Sequence, residues 1–338
     1  MKKMISRRDF LKVAGISAAA LGLAACGGSG TSTAASTAST AASTGSSAAA
    51  SGSAVTLKLG FSTNEEDPRA KGAKQFAEEV AEKTGGAVEV QLYPSGQLGG
   101  DADLINSIAL DSGTVDIIIT DASNFATYDA KMGISALPFQ FETFDDAWAF
   151  MDSDIEAAAE EGLLSQNMRV LAHYCNGFRC VTNSKGPINS PADMNGLLIR
   201  TPENPVIMAT MTALGANPQP LSFSELYQAL QQKTYDAQEN PIPVIYNNNL
   251  FEVQEYLSIT NHIYSGMCFT IAESSWNKLS ADQQQIVSDA AKASADYDRE
   301  LNEQQTNEMQ SQTPKHYFVA DEIAKQPDSE QKFVVIVR

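Results

Sequence analysis

Two arginines stand inside apolar, strand-like sequence, and they are the residues of this chain best suited to chemistry. Arg179 lies in Asn-Gly-Phe-Arg-Cys-Val, and Arg200 ends the run Leu-Leu-Ile-Arg before Thr-Pro. A buried guanidinium has to be matched by an anion. That anion is either an Asp or Glu of the chain itself or a ligand carboxylate, which a planar guanidinium binds through two parallel hydrogen bonds. The residues alone leave both alternatives open.

Motifs for catalysis and cofactor binding are missing from the sequence. It holds no G-x-S-x-G, no P-loop, no G-x-G-x-x-G after a strand, no H-E-x-x-H and no paired C-x-x-C. Three histidines, His173, His262 and His316, lie far apart along the chain, which favours structural or surface roles over catalysis or metal binding. We therefore expect no enzyme activity, no catalytic residue, no cofactor and no metal.

Three cysteines, Cys175, Cys180 and Cys268, follow the one at position 26. Their odd number favours three buried thiols, although a bridge from Cys175 to Cys180 or to Cys268 stays open.

The elements that position the two arginines alternate between strands and helices. Val55–Phe61 alternates apolar and polar residues, Asp67-Pro68 opens an amphipathic helix that ends at Gly85-Gly86, and Val88–Leu92 alternates again. This β-α-β unit implies a parallel sheet. Further elements are predicted as a helix around Leu104 and strands at Val115–Ile119, Val170–Tyr174, Phe178–Thr182, Leu197–Arg200 and Tyr235–Gln238. Capping boxes at Ser222 with Glu225 and at Ser280 with Gln283 open two more helices. The pattern predicts α/β architecture, and the length of 338 residues favours two lobes.

Charge is distributed unevenly along the chain. The net charge is −18, and residues 1–25 contribute +4 to it, so the remaining residues sum to −22. A chain this acidic lacks the positive surface that nucleic-acid binding requires, which excludes a nucleic-acid partner.

The basic N-terminal end is typical of an export signal. Ser6-Arg7-Arg8-Asp9-Phe10 is a twin-arginine motif before an apolar run too short to span a bilayer permanently. Leu23-Ala24-Ala25-Cys26-Gly27 fits a lipobox, which predicts cleavage at, and lipidation of, Cys26. Residues 1–25 are thus interpreted as a twin-arginine lipoprotein signal peptide, and residues 26–54 as the lipidated cysteine followed by a Gly/Ser/Thr/Ala tether.

Five ordered motifs in the rest of the chain carry a resemblance to a known family. They are Tyr93–Gly99, Asn176–Arg179, Gly196–Pro202, Leu214–Pro220 and Asp236–Pro241. Together they resemble the DctP-type solute receptors of TRAP transporters, over roughly residues 55–312. The resemblance implies an α/β, two-lobed periplasmic-binding-protein-like (Venus flytrap) fold with hinge strands and a long connecting helix.

The resemblance also implies roles for particular residues. Arg200 would form the main salt bridge to a ligand carboxylate, Arg179 would support it, and Asn240 would donate a hydrogen bond to the same group. Phe223 would wall the pocket, and Asp121 would face the rest of the ligand. Glu203 and Asn204 follow the Arg200 motif and are expected to face the cleft.

The implied function is that of an extracytoplasmic receptor, held at the outer face of the cytoplasmic membrane by Cys26 and acting as a monomer. It would bind an organic acid and deliver it to sodium-driven TRAP permease subunits. Glu203 would suit hydroxyl groups, which favours a sugar acid over a C4-dicarboxylate. The alternative is a solute-binding lipoprotein of an ABC importer or a sensor system.

The end of the chain departs from the family pattern. Residues 313–338 finish Lys-Phe-Val-Val-Ile-Val-Arg instead of continuing into a final strand and helix. This atypical tail is interpreted either as native or as a truncated or frame-shifted end.

Overall fold

The computed structural model describes residues 54–312 of the chain. Eight strands lie at β1 Val55–Gly60, β2 Val88–Tyr93, β3 Ile117–Asp121, β4 Met168–Asn183, β5 Leu198–Thr201, β6 Asn217–Pro220, β7 Ala237–Pro241 and β8 Tyr256–Ala272. Helices lie at α1 Pro68–Lys83, α2 Asp101–Ala109, α3 Phe144–Met151, α4 Asp154–Leu164, α5 Pro205–Ala213, α6 Phe223–Gln231, α7 Ile242–Asn247, α8 Glu273–Trp276 and α9 Ala281–Gln312. Short 3-10 helices at Ala122–Thr127, Ala130–Ala136, Pro191–Met194 and Leu250–Glu252 complete this part of the chain.

The strands form one sheet in the order β2-β1-β3-β8-β4-β7-β5-β6. β1 pairs in parallel with β2 and β3, and β5 pairs in parallel with β6 and β7. Between these parallel ends, β8 and β4 run antiparallel to each other and to their outer neighbours. The ends form two lobes, a first lobe with β1, β2 and β3 and a second with β5, β6 and β7, and the two long strands pass through both. The predicted α/β, two-lobed fold with hinge strands and a long helix is confirmed.

The long strands are where the predicted elements were wrong. β4 is one continuous strand instead of two, with register shifts near Cys175 and Arg179, because Asn176-Gly177 forms a bulge and not a turn. β8, which at 17 residues is the longest strand between residues 54 and 312, was not predicted.

Local capping was predicted at the start of three helices and is formed at two of them. The Asp67 side chain accepts a hydrogen bond from the Arg69 amide at the start of α1, as predicted. The capping box before α9 is also formed, since Ser280 N donates to Gln283 Oε1 at 2.9 Å and Gln283 N donates to Ser280 Oγ at 3.3 Å. The box predicted before α6 is wrong, because the Ser222 hydroxyl contacts the Ser224 hydroxyl and caps no amide.

The helix α9 is held across the bulge of β4. The amide nitrogen of the Asn302 side chain donates to the carbonyls of Cys175 and Asn176, both at 3.0 Å. Asp298 accepts the Cys175 amide at 2.6 Å, and Tyr174 donates to Ser294 at 2.7 Å. The bonds of Asn302 and Asp298 satisfy backbone groups that the bulge leaves without a strand partner. The long helix therefore fixes the point where β4 passes from one lobe to the other.

Cys175, Cys180 and Cys268 are buried free thiols, so neither disulfide forms. No helix between residues 54 and 312 has the length and apolar character needed to cross a bilayer. The predicted export motif, the lipidated Cys26, the tether and the 313–338 tail lie outside the described residues.

Candidate functional site

Arg200 lies near the end of β5 and is buried without an anionic partner in the part of the chain that the structure describes. The residue is 3% exposed, and its Nε donates to the Leu221 carbonyl at 2.9 Å. Among residues 54–310 no carboxylate oxygen comes within salt-bridge distance of this guanidinium, which lies 5.8 Å from the centre of the Phe223 ring. Burial lowers the pKa of Arg200 to about 10, with Glu239 opposing that change and Arg179 adding to it. The guanidinium is still charged at neutral pH.

Arg179 is equally buried but is paired inside the protein. Its Nε donates to Glu239 Oε2, and its Nη2 donates to Glu239 Oε1 at 2.8 Å. Nη2 also donates to Asn240 Oδ1 at 3.1 Å. Both side chains of the ion pair are almost fully buried. The anion that the sequence required for Arg179 is therefore a glutamate of the chain, a residue that sequence reasoning missed. If Arg179 also bound a ligand carboxylate, its guanidinium would have to donate to that carboxylate and to Glu239 at the same time.

Glu239 has a third partner in His262. His262 Nε2 lies 3.3 Å from Glu239 Oε2, and its Nδ1 lies 2.7 Å from the Thr260 hydroxyl. Burial alone would raise the pKa of Glu239, but Arg179 and His262 outweigh burial and lower the pKa to about 2.

The lowered pKa predicts how the stability gap between the protein and a Glu239→Gln variant depends on pH. Ionised Glu239 stabilises the fold above its ordinary pKa of 4.5, and this contribution is lost as the pH falls towards 2. Glutamine resembles the protonated acid, so the gap should be full at pH 7 and should shrink between pH 4.5 and pH 2. Urea unfolding of both proteins at several pH values measures the gap, and a gap that does not change with pH would contradict the assignment.

Asn240 and Asp121 lie beside the arginines and are held by neighbours. Asn240 Nδ2 donates to Gln238 Oε1 at 2.7 Å, which leaves one of its two amide hydrogens without a partner. Asp121, at the end of β3, accepts the Ser123 amide at 2.9 Å and the Ser123 and Ser265 hydroxyls. Together with Arg179, Arg200 and Asn240, Asp121 lines one small pocket.

A cavity of about 720 Å³ lies between the lobes and is lined from both sides. From the second lobe come Arg200, Glu203 and Phe223, and from the first lobe come Asp101 and Asn124. At its base a pocket of about 40 Å³ brings Arg200, Arg179, Asn240, Asp121 and Phe223 together. The structure thus gathers at this cleft six of the seven residues expected to bind the ligand.

Asn204 is the residue that the structure places elsewhere, because its side chain is fully buried and lines neither cavity. Its Oδ1 accepts the Val206 and Ile207 amides at the start of α5, and its Nδ2 donates to Ser123 and Asn124. In this structure Asn204 caps α5 and joins the two lobes, and its expected place facing the cleft stays a prediction.

Sequence reasoning missed further charged residues at the cleft, among them Asp101 and Arg69. Asp101 lines both cavities, and its position directly after Gly99-Gly100 in a motif-bearing loop was an available signal. Arg69, in the first turn of α1, is buried and lines the small pocket. Its Nη2 donates a hydrogen bond to Asn176 Oδ1 at 3.1 Å. It carries no pattern that separates it from a solvent-facing helix arginine.

Comparison with known proteins now decides the family. The model of the DctP family, described as bacterial extracellular solute-binding protein, family 7, matches residues 59–332. The chain belongs to this family. The match runs past Gln312 into the segment interpreted above as an atypical tail. A second model, for the twin-arginine translocation pathway signal sequence, matches residues 4–24 and agrees with the predicted export motif. Together the two matches indicate export to the periplasmic side.

Relatives of the family share most of this chain. It is 35% identical over 248 residues to the 2,3-diketo-L-gulonate-binding periplasmic protein YiaO of Escherichia coli, covering 73% of this chain and 75% of that protein. The crystal structure of a sugar acid binding protein from Advenella mimigardefordensis with galactonate matches with a TM-score of 0.75 at 30% identity, covering 80% of this chain and 89% of that one. A TRAP periplasmic solute binding protein from Sulfurospirillum deleyianum with bound succinate matches with a TM-score of 0.73 at 31% identity, covering 83% and 87%. The chain is thus a TRAP-type solute-binding protein, and the two solved relatives above hold a sugar acid and a dicarboxylate.

Proposed function

We propose that this protein is an extracytoplasmic receptor that binds the carboxylate of a sugar acid through Arg200 and delivers the acid to a sodium-driven TRAP permease. The observation that carries the proposal is the Arg200 guanidinium, buried, charged and without an anionic partner among the described residues, at the base of an interlobe cavity. A charge in this position costs free energy until an anion matches it. A ligand carboxylate supplies that anion.

The surroundings of Arg200 support binding of a carboxylate through two parallel hydrogen bonds. The Leu221 carbonyl takes up Nε, and the Phe223 ring stacks near the guanidinium, so the side chain is fixed while its two terminal nitrogens keep their donors. Two parallel N–H donors match the two oxygens of a carboxylate. Phe223 then acts as a wall of the site.

Arg179 and Asn240 complete the carboxylate end, and Asp121 faces the rest of the ligand. Arg179 contributes positive charge and holds Asn240 by its Oδ1, so that the remaining Asn240 amide hydrogen is available to the ligand. Asp121, fixed by Ser123 and Ser265, keeps those hydroxyls in place and reaches the same pocket. Arg179 and Asn240 thus orient the carboxylate, and Arg200 supplies the main attraction.

The rest of the cavity favours hydroxyl groups over a second carboxylate. Its lining includes four acidic residues, Asp101, Asp103, Glu203 and Glu225. Carboxylates accept hydrogen bonds from hydroxyls and repel a second negative charge. This supports a polyhydroxy monoacid, such as the galactonate bound by the Advenella protein, over succinate, which the Sulfurospirillum protein binds.

A thermal-shift screen of the purified full chain tests the ligand class. Hexonates, pentonates, uronates and C4-dicarboxylates are compared at equal concentration, because a ligand at one hundred times its dissociation constant stabilises the fold by about 2.7 kcal/mol. We expect sugar acids to give the largest shifts. Shifts from dicarboxylates alone would overturn the ligand class, and no shift from any carboxylate would overturn the function.

Glu203 provides a sharper test of the hydroxyl end. A Glu203→Gln variant should bind the best sugar acid about tenfold more weakly, because the loss of one charge-assisted hydrogen bond costs about 1.5 kcal/mol. Glu255→Gln makes the same change of charge on an exposed residue outside the cavity and should bind like the unaltered protein. Calorimetric titration of both variants checks the pair, and equal affinities would remove Glu203 from the site.

Membrane attachment through Cys26 belongs to the same proposal. Two or more acyl chains hold a protein stably at a bilayer, and the Gly/Ser/Thr/Ala segment would act as a leash that lets a monomeric receptor reach its permease. A Cys26→Ser variant should therefore move from the membrane fraction to the soluble fraction of fractionated cells. A variant that stays with the membrane would contradict lipidation at this residue. The relatives' descriptions as TRAP proteins give no support to the ABC-importer alternative.

A further inference from the structure

A second cluster of chemically active side chains lies in the first lobe and lines neither cleft cavity. It consists of Glu160 on α4, His173 on β4 and Cys268 on β8. His173 Nε2 lies 2.6 Å from Glu160 Oε1, Cys268 Sγ lies 3.8 Å from the same oxygen, and the three donor atoms are all within 4.8 Å of one another. The wide spacing of the histidines along the chain had argued against such a group.

Strand register explains how distant residues meet here. His173 and Cys268 are directly opposite each other in the antiparallel pair of β4 and β8, so their side chains lie on one face of the sheet. Helix α4 packs over this face and supplies Glu160.

Glu156, one helical turn before Glu160, is a second and independent sign of a missing partner. It is fully buried, and neither of its carboxylate oxygens has a hydrogen-bond partner among the described residues. An ionisable group in that position requires an explanation, because its burial is costly. Four residues before Glu160 on the same helix, Glu156 lies on the same helix face as Glu160. An unpartnered acid therefore borders the three-residue cluster.

The outer nitrogen of His173 is placed as in metal-binding histidines. Its Nδ1 lies 3.4 Å from Asp152 Oδ1, and Asp152 is fixed by two hydrogen bonds from Arg299 at 2.6 and 2.8 Å. A carboxylate on the outer nitrogen sets the tautomer and orientation of a ligating imidazole.

Solvent reaches the cluster from one side. Glu160 and His173 border a cavity of about 440 Å³, and their side chains are 15% and 13% exposed, whereas Cys268 is fully buried behind them. This cavity provides an entry path for an ion.

We propose that Glu160, His173 and Cys268 form a zinc site, with Glu156 as the fourth ligand. Imidazole, thiolate and carboxylate are the ligands that Zn²⁺ takes in proteins, at bond lengths of about 2.0–2.3 Å in tetrahedral geometry. Those bond lengths require about 3.3–3.6 Å between ligand atoms, so His173 Nε2 and Glu160 Oε1 have to separate by about 0.7 Å. Bound zinc would join α4 to the two long strands.

Protons compete with the metal at this site. Zinc binds a neutral imidazole, a thiolate and carboxylates, so its binding would displace the protons that these groups carry, and it should weaken as the pH falls.

The test uses the full chain, freed of metal with a chelator and then titrated with Co²⁺ and Zn²⁺. Co²⁺ should give a near-ultraviolet thiolate-to-cobalt band at one ion per chain, displaced by Zn²⁺, and Zn²⁺ should raise the melting temperature. Cys268→Ser should remove the band, and Glu160→Gln, a partly exposed change that leaves the core intact, should weaken zinc binding at least tenfold. Cys180→Ser changes an equally buried thiol outside the cluster and should keep the band and the affinity.

Each outcome decides the proposal. Loss of the band in Cys268→Ser together with weaker zinc binding in Glu160→Gln supports the site. A band that survives in Cys268→Ser, an unchanged zinc affinity in Glu160→Gln, or no cobalt band in the unaltered protein would overturn it and leave a hydrogen-bonded ion pair. None of these results depends on the organic-acid ligand.

Discussion

Replacing Arg200 with alanine should abolish measurable binding of the organic acid. Removing one partner of a buried, hydrogen-bonded charge pair costs about 2–5 kcal/mol, which corresponds to about 30-fold to several thousand-fold in affinity. Arg200→Lys should recover only part of this loss, since an ammonium group lacks the planar pair of donors that matches a carboxylate. Isothermal titration calorimetry with the best acid measures all three proteins.

The stability of the Arg200 variants separates a lost site from a damaged fold. Because no carboxylate of the described residues pairs with Arg200, an Arg200→Met variant should unfold no more easily than the ligand-free parent protein, and removal of an unmatched buried charge favours a more stable fold. Arg169→Gln, a change on a half-exposed arginine far along β4 from Arg179, should leave binding intact. Micromolar binding by Arg200→Ala would refute the assignment of the site.

Replacing Glu239 with glutamine should cause the largest loss of stability of any single change at the cleft. It leaves Arg179 and His262 buried without their anion, and breaking a buried ion pair from one side costs about 3–5 kcal/mol. The variant should also bind the acid more weakly, because Arg179 holds Asn240 in place. Urea unfolding measures the first effect and calorimetry the second.

A matched ion pair elsewhere controls for the loss of charge. Arg169 donates two hydrogen bonds to Glu273, at 2.6 and 2.9 Å, but both side chains are partly exposed. Glu273→Gln should therefore cost at most about 1 kcal/mol. A double variant, Arg179→Met with Glu239→Gln, should regain part of the stability lost in Glu239→Gln alone. Equal losses in Glu239→Gln and Glu273→Gln would show that burial does not determine the strength of the Arg179 pair.

The contrast between Arg179 and Arg200 shows what the sequence could establish. Arg179 and Arg200 were identified because charge in apolar strand sequence is expensive, and both are indeed buried. Which of them pairs inside the protein depends on strand register, since β4 and β7 align Val181 with Glu239 and so bring Glu239 within reach of Arg179. No local pattern near Glu239 encodes that alignment.

The helices and strands divide in the same way, into those that local sequence patterns indicate and those that they do not. β1, α1 and β2 were predicted nearly to the residue, because alternation, an Asp-Pro cap and a Gly-Gly end are local signals. β8 was missed because most of its residues are buried on both faces, so apolar and polar residues do not alternate. The cluster around His173 was missed for a related reason, since two long strands and a helix bring its members together only in the folded chain.

The central claim, that this cleft holds its ligand by a carboxylate, is tested most directly by a pair of ligands that differ only in that group. The tightest-binding sugar acid of the screen and its primary amide are titrated calorimetrically into the unaltered full chain. The structure predicts that the acid binds at least one hundredfold more tightly than the amide, because only the acid matches the charge of Arg200. Affinities of acid and amide within about threefold of each other would contradict the account.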